Sequence, residues 1–437
     1  MQLYSTNRIS ENVGFEEAIF RGLPPDNGLY MPLNIPKLPQ SFWDNIENLS
    51  LNEIAFEICS GLIGDDIPKD DLKTLIDQAI DFEAPVVPIK ENIYCLELFH
   101  GSSMAFKDFG ARFMAAVMSY FLKKSQKSIN ILVATSGDTG GAVAQGFFDK
   151  ENISVTILYP AGKVSDIQEK QLTTLGKNIK ALEIDGTFDD CQALVKQAFL
   201  DNDLRGKFNL ASANSINIAR LIPQSFYYVA AYAALKKNGK KMVFSVPSGN
   251  FGNLTAGLLA IKMGMPNTTF IAATNINKVV PEYLESGVYS PISPSKSTIS
   301  NAMDVGNPSN FPRMRALFGD SLSDMKGYVK GCYFDDNQTR DGIKELYEDY
   351  GYLTCPHSAI GYLGLKEFMD KNSSDDSLGV FLSTAHYAKF LPEMESTLGF
   401  LPEIPERLES LLSKTKVAVS MANDFEDFKS YLNENLI

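Results

Sequence analysis

From about residue 90 onward this chain of 437 residues alternates short apolar runs with helical stretches, and no other feature limits its architecture so strongly. NILVAT, SVTILYP, KALEID, KFNLA, MVFSVP and TFIAAT read as strands, with helical patterns over 140–149, 189–200, 217–236 and 254–263 between them. Strands separated by helices are joined by crossovers, so they lie parallel in sheets covered on both faces. The fold class is α/β. The first ninety residues read as mostly helical, with turns at GLPPDNGLY and around Gly64. GVYSPISPSKSTIS at 287–300 reads as a surface loop, and a helix is expected over 339–350 with Thr339 as its N-cap and Gly351 as its end. The segment 421–437 reads as a short amphipathic helix.

A net charge of −13 argues against a nucleic-acid partner, whose phosphates demand a basic face. The cysteines Cys59, Cys95, Cys191, Cys332 and Cys355 are scattered and never form C-x-x-C, so neither a disulfide framework nor a metal site is expected. The start, MQLYSTNRIS, has no apolar core of a secretory signal, and no apolar run approaches a membrane span. A reduced, cytoplasmic protein is the expectation, with two or three domains for this length.

Two places share one design. ILVATSGDTGGAVAQGF and MVFSVPSGNFGNLTAG each run a strand through a glycine-rich turn into a helix. Such turns bring backbone amides near a ligand, and the helix N-terminus favours an anion. Hydroxyls at Ser136, Thr139, Ser248 and Thr255 add donors. Each turn alone reads as a tight connection. Neither fits the nicotinamide or NTPase patterns, and G-x-S-x-G is absent.

HGSSMAFKDFGARFMA adds a third element. Lys107 falls between phenylalanines in the first turn of a helix, where the dipole and burial both disfavour an ammonium. Alone, Lys107 reads first as a surface lysine whose stem packs on the helix. With two anion turns beside it, a lysine pushed towards its neutral form suits a cofactor carrying a phosphate and an aldehyde. Pyridoxal 5′-phosphate fits that description.

The motifs also resemble a family. FEEAIFRGLPPDNGLYMP, HGSSMAFKDFGARF, ATSGDTGGA, SANSINIARLIPQ, VPSGNFGNLTAG, AMDVGNPSNFPR, CPHSAIG and STAHYAKF follow the order found in the threonine synthase family, in its longer microbial and fungal form. The resemblance implies a fold-type II pyridoxal-phosphate enzyme, tryptophan synthase β-like, with two parallel-sheet domains and a helical N-terminal domain. It implies boundaries at 1–90 for the helical domain, 106–214 for a small, mobile domain, and 91–105 with 215–437 for a large one. Lys107 would bind the cofactor aldehyde and shuttle protons. Ser248, Gly249, Asn250, Phe251, Gly252 and Asn253 would cradle the cofactor phosphate. Thr135, Ser136, Gly137 and Thr139 would hold the substrate carboxylate, with Asp138 near the cofactor ring. Ser215, Asn217 and Arg220 would take the phosphate of O-phosphohomoserine, and Thr384 would meet the pyridine nitrogen. The implied reaction is a β,γ-replacement giving threonine and phosphate; apart from the resemblance, no segment announces an added regulatory domain, and a monomer is the expectation. Two departures stand out: PPDNG for APDGG, and Tyr387 where proline is usual, beside Thr384.

A serine/threonine dehydratase of the same fold type is the nearest rival, but it would lack the basic site at 215–220. A catalytically inactive binder of phosphorylated ligands would be expected to lack Lys107. His100, His357 and His386 read as polar packing residues, Asp108 as a complement to its helix dipole, and Asp304 as a turn former.

Overall fold

The computed structural model describes residues 1–372, 374 and 376–437. The N-terminal region is not purely helical. Gln2–Ser5 (β1), Val13–Gly14 (β2) and Tyr30–Pro32 (β3) form a small antiparallel sheet ordered β2-β1-β3. Strands this short carry too few residues to show a period of two, which is why the sequence pattern hid them.

Eleven further strands follow: Val86–Lys90 (β4), Ile93–Glu97 (β5), Ile129–Ala134 (β6), Ile153–Pro160 (β7), Ile179–Asp185 (β8), Leu210–Ser212 (β9), Lys241–Pro247 (β10), Thr268–Thr274 (β11), Val329–Tyr333 (β12), Ser377–Ser383 (β13) and Val419–Ala422 (β14). They build two sheets. One has six strands in the order β12-β11-β10-β13-β5-β4, parallel except for the β4–β5 pair. The other has five parallel strands in the order β14-β8-β7-β6-β9. Central strands β6, β7, β11 and β13 are buried along their whole length, as expected for sheets with helices on both faces.

β14 departs from the boundaries read from sequence. It pairs with β8, so part of the C-terminal segment assigned to the large domain completes the other sheet. Behind it, helix Phe425–Asn435 buries Phe428 and Leu432 against Leu194 and Ala198. The segment is therefore a covering element of that sheet.

Local signals explain the helices. Lys107–Ser125 buries Phe109, Phe113 and Val117 along one stripe, and Phe109 stacks edge-on against Phe82 and Tyr227 at 4.8 and 5.0 Å. The pattern expected at 217–236 breaks into Ile218–Leu221 and Gln224–Leu235 around Pro223. The helix expected over 339–350 begins earlier, at Asp336, because Asp335 and Gln338 make a reciprocal cap; Thr339 lies inside it. No helix among the described residues is long and apolar enough to cross a membrane.

Candidate active site

Three strand ends of the six-stranded sheet converge. β10 leads into Ser248–Phe251, β13 ends at Thr384, and β5 feeds the turn that starts the lysine helix. Backbone bonds stitch that turn to β13: Leu98 donates to Ser383 O at 2.9 Å and Phe106 to Thr384 O at 2.8 Å. Lys107 is thus delivered to the carboxyl edge of the sheet, where ligands bind in open α/β folds.

Facing it across one cavity of about 990 Å³ are both glycine-rich turns. Its walls include Lys107, Thr135, Ser136, Asp138, Thr139, Ser215, Arg220, Ser248 to Asn253 and Thr384. Of the residues given a site role from the sequence, Gly137, Asn217 and Thr255 are not on this wall, and the Thr255 hydroxyl donates to Phe251 O at 2.6 Å. Asn217 is buried behind it, its amide donating to Ile19 O and Ser212 O while its oxygen caps the next helix. Gly137 serves shape: φ is +130°, and a Cβ there would stand 2.5 Å from Gln168 Cδ.

The turn after β10 has the makings of a phosphate cradle. Helix Gly252–Lys262 starts with no side-chain cap, so its first amides have no partner in the helix. Gly249 packs so closely on the 301–303 turn that a Cβ would lie 2.8 Å from Ala302 O. Phe251 sits in the left-handed region at φ 61°, a strained conformation for a non-glycine residue. Asn253 carries a further donor. Tyr227 and Tyr228 both give their hydroxyl protons to its Oδ1, and its buried Nδ2 has no partner. An orphaned amide beside uncapped helix amides fits an anionic cofactor group.

The turn after β6 is built differently. Thr135 Oγ1 accepts from the amides of Gly137 at 3.0 Å and Gly140 at 2.8 Å, so part of its donor set is already used. Asp138 opens helix Asp138–Phe147, and its carboxylate accepts from Gln168 Nε2 at 2.9 Å and pairs with Lys389 Nζ at 2.6 Å.

These charges set the protonation of the site. Burial pushes the Lys107 amine down to about 8; Asp138 opposes this, and Arg220 and Lys389 reinforce it. Burial alone would raise Asp138, but Lys389 and Lys107 outweigh it and hold the carboxyl well below its usual range. Arg220 is brought down by burial to about 10, which leaves it charged at neutral pH. One of its nitrogens donates to Ala213 O, and its Nε has no partner. Asp108 does sit in the first helical turn; it accepts from Ser103 N at 2.8 Å, and burial pushes it up to about 6.

Several residues in or near the site were given only structural roles by the sequence reading or escaped it. His357 lines the cavity and accepts from Ala302 N at 3.1 Å; burial brings it down to about 4, so it is neutral. His100 pairs with Glu97 at 2.8 Å, and His386 caps the turn at 387–390. Asp304 also lines the cavity, tied to Thr298 and Asn275. Arg313 is fully buried and donates to Tyr30 O, Ser215 O and Ile216 O, which shapes the turn ahead of Arg220. Lys389 lay within STAHYAKF but nothing local marks its partner, which comes from another part of the chain. Tyr387 turns its hydroxyl to Glu403 O at 3.0 Å, and Thr384 still lines the cavity.

Comparison with known proteins gives a consistent result. A pyridoxal-phosphate dependent enzyme family matches residues 82–384, with threonine synthase N-terminal and C-terminal families over 2–80 and 358–432. Threonine synthase of Haemophilus influenzae is 45% identical over 433 residues, covering 99% of both chains. The crystal structure of Escherichia coli threonine synthase superimposes with a TM-score of 0.92 at 41% identity, covering 99% of this chain and 100% of that one. That of pyridoxal-phosphate-bound threonine synthase from Brucella melitensis gives 0.91 at 32% identity, covering 99% of each.

Proposed function

The chain belongs to the threonine synthase family of pyridoxal-phosphate enzymes, and on that premise we propose how its cavity performs the reaction. The substrate is O-phospho-L-homoserine, and the products are L-threonine and phosphate. The observation that carries this reading is a single cavity joining Lys107 to two glycine-rich turns and to Arg220.

When bound, pyridoxal phosphate supplies an electron sink conjugated to the substrate's amino nitrogen. Lys107 offers its amine to the cofactor aldehyde. The amides of Ser248 to Asn253 and the free Asn253 Nδ2 hold the cofactor phosphate. Thr384, at the end of β13, gives a neutral hydroxyl for the pyridine nitrogen. Ser136 and Thr139, on the turn shaped by Thr135 and Gly137, take the substrate carboxylate, with Asp138 beside the ring. Arg220, with Ser215, binds the substrate phosphate; its forked donors, charged at neutral pH, suit a dianion. Asn217 supports that subsite from behind by capping the Arg220 helix.

Lys107 Nζ, neutral once the substrate amine displaces it, takes the proton from the α-carbon. The substrate then loses a β-proton, releases phosphate with its bonding pair from the γ-carbon, regains a proton at the γ-carbon, and adds water as hydroxide at the β-carbon and a proton at the α-carbon. The buried cationic subsite favours threonine synthesis over amino-acid deamination. We further infer a cytoplasmic protein without a nucleic-acid partner, on the net charge of −13 and five unpaired cysteines, and take it to act as a monomer. Closure of the 106–214 unit over the substrate phosphate, with β14 moving along, completes the proposal.

The test compares native protein with Lys107→Ala, supplied with pyridoxal phosphate and O-phosphohomoserine. Equal amounts of threonine and phosphate are expected from the native protein and none from the variant. Formation of 2-oxobutyrate from threonine, with no threonine made, would move the protein to the dehydratases.

A further inference from the structure

Behind the cavity wall lies a polar circuit that the reaction outlined above does not use. Lys389 is fully buried and does not line the cavity. Its ammonium contacts Asp138 Oδ1 at 2.6 Å and donates to Ser103 O at 3.0 Å. Helix Asp166–Thr173 closes the loop from the other side: Gln168 donates to Asp138 at 2.9 Å and Gln171 to Ser103 O at 2.9 Å. Ser165, which caps that helix, donates from Oγ to Lys389 O at 2.9 Å. Ser103 in turn belongs to the tight connection that delivers Lys107.

A buried ion pair is a poor device for stability, because desolvating both charges offsets most of their attraction. Nor does a site that binds two phosphates and a carboxylate gain from an acidic wall. Asp138 nevertheless faces that cavity, and among the described residues the charged groups acting on it are the cations Lys107 and Lys389, with neutral His357 beside them; Arg220 acts on Lys107. A bare carboxylate there would bind the Lys107 ammonium and hold the amine protonated.

We propose that Lys389 is a positioning residue: it clamps Asp138 into the cavity wall and cancels enough of its charge for Lys107 to remain a base. The side chain acts through Asp138 and through Ser103 O, never on substrate. Its partners come from three chain segments, so the clamp also fixes the relative placement of the Lys107 turn and the turn after β6.

This inference rests on Lys107 being the cofactor lysine. The experiment follows uptake of pyridoxal phosphate by apoprotein from pH 6 to 10, by its absorption, in native protein, Lys389→Met and Asp138→Asn/Lys389→Met, with thermal melting alongside. The native rate should rise through about pH 8, where Lys107 loses its proton. In Lys389→Met the midpoint should move up by about one pH unit, since an uncancelled carboxylate favours the ammonium. In the double variant, which has neither charge, it should return to within about half a unit of native. An unmoved midpoint in folded Lys389→Met, or a double variant displaced as far as the single one, would overturn the proposal. If Lys389→Met does not fold, the double variant decides. Folding with a near-native midpoint supports charge cancellation, and failure to fold refutes it. Native protein that takes up no pyridoxal phosphate would instead sink the reading of Lys107, a failure visible before any variant is compared.

Discussion

The turns after β6 and after β10 look alike in sequence, Ser-Gly-Asp-Thr-Gly-Gly and Ser-Gly-Asn-Phe-Gly-Asn, yet they differ electrically. The β10 turn presents uncapped amides, an orphaned Asn253 donor and no acid. The β6 turn uses two of its amides on Thr135 and puts a carboxylate, backed by Lys389, into the first helical position. Glycine-rich turns therefore specify how closely a backbone can approach a ligand, while the neighbouring side chains decide which charge is welcome. The β10 turn is an anion cradle. The β6 turn is a nearly neutral platform whose negative end faces a lysine.

The sharpest way to break this comparison is at Gly249. A Cβ would press on backbone of the 301–303 turn, which cannot yield as a side chain can. Gly249→Ala should weaken cofactor binding by about 100-fold, an effect of ~3 kcal/mol in fluorescence titration of apoprotein. Ser136→Ala in the other turn should leave that affinity within about threefold and appear in the substrate KM instead. Similar losses of cofactor from both variants would mean that the turns share one role.

Next in size is Asn253→Ala, expected to cost roughly tenfold in cofactor affinity for one lost hydrogen bond to a charged group. Equilibrium dialysis against pyridoxal phosphate measures it, and an unchanged constant would remove Asn253 from the cradle.

Asp138→Asn tests the platform. The Asp138 charge favours the ammonium of Lys107 and so raises its pKa from where burial alone would leave it. Without that charge the pKa falls, and the rising limb of cofactor uptake should move from about 8 to lower pH, by about one unit. Stopped-flow absorbance across pH would show it; a shift upward would contradict the charge assignment.

The smallest effect is expected at Ser165→Ala, which removes the cap of the helix that carries Gln168 and Gln171. Chemical denaturation should show a loss of ~1 kcal/mol with little change in cofactor uptake.

Legibility from sequence followed the range of the interactions. β6, β7, β10 and β11 were readable because each is a mostly apolar run between turn signals, and β8 because Ile179, Ala181, Leu182 and Ile184 are interleaved with the polar Lys180 and Glu183. β4, β5, β12 and β13 were not named, since their strand character depends on neighbours supplied by distant segments. Lys107, Arg220 and both turns stood out through local patterns. His357, Arg313 and Lys389 did not, because what defines each is a partner far along the chain: Ala302, Tyr30 and Asp138. A lysine in STAHYAKF carries no sign of burial until the fold closes around it.

The position of β14 has a consequence for how such a protein is made. The sheet that carries the β6 turn gains its β8-side edge strand from a segment synthesised after the entire six-stranded sheet. A nascent chain that has extruded β6 to β9 still exposes the open edge of β8 and the apolar face of helix Phe188–Leu200, which Phe428 and Leu432 later cover. Exposed strand edges invite pairing with other chains. Premature termination between the end of helix Leu391–Leu398 and residue 419 would thus leave a molecule with its cofactor cradle intact and a sticky flank, a species suited to capture by chaperones or to clearance by proteases.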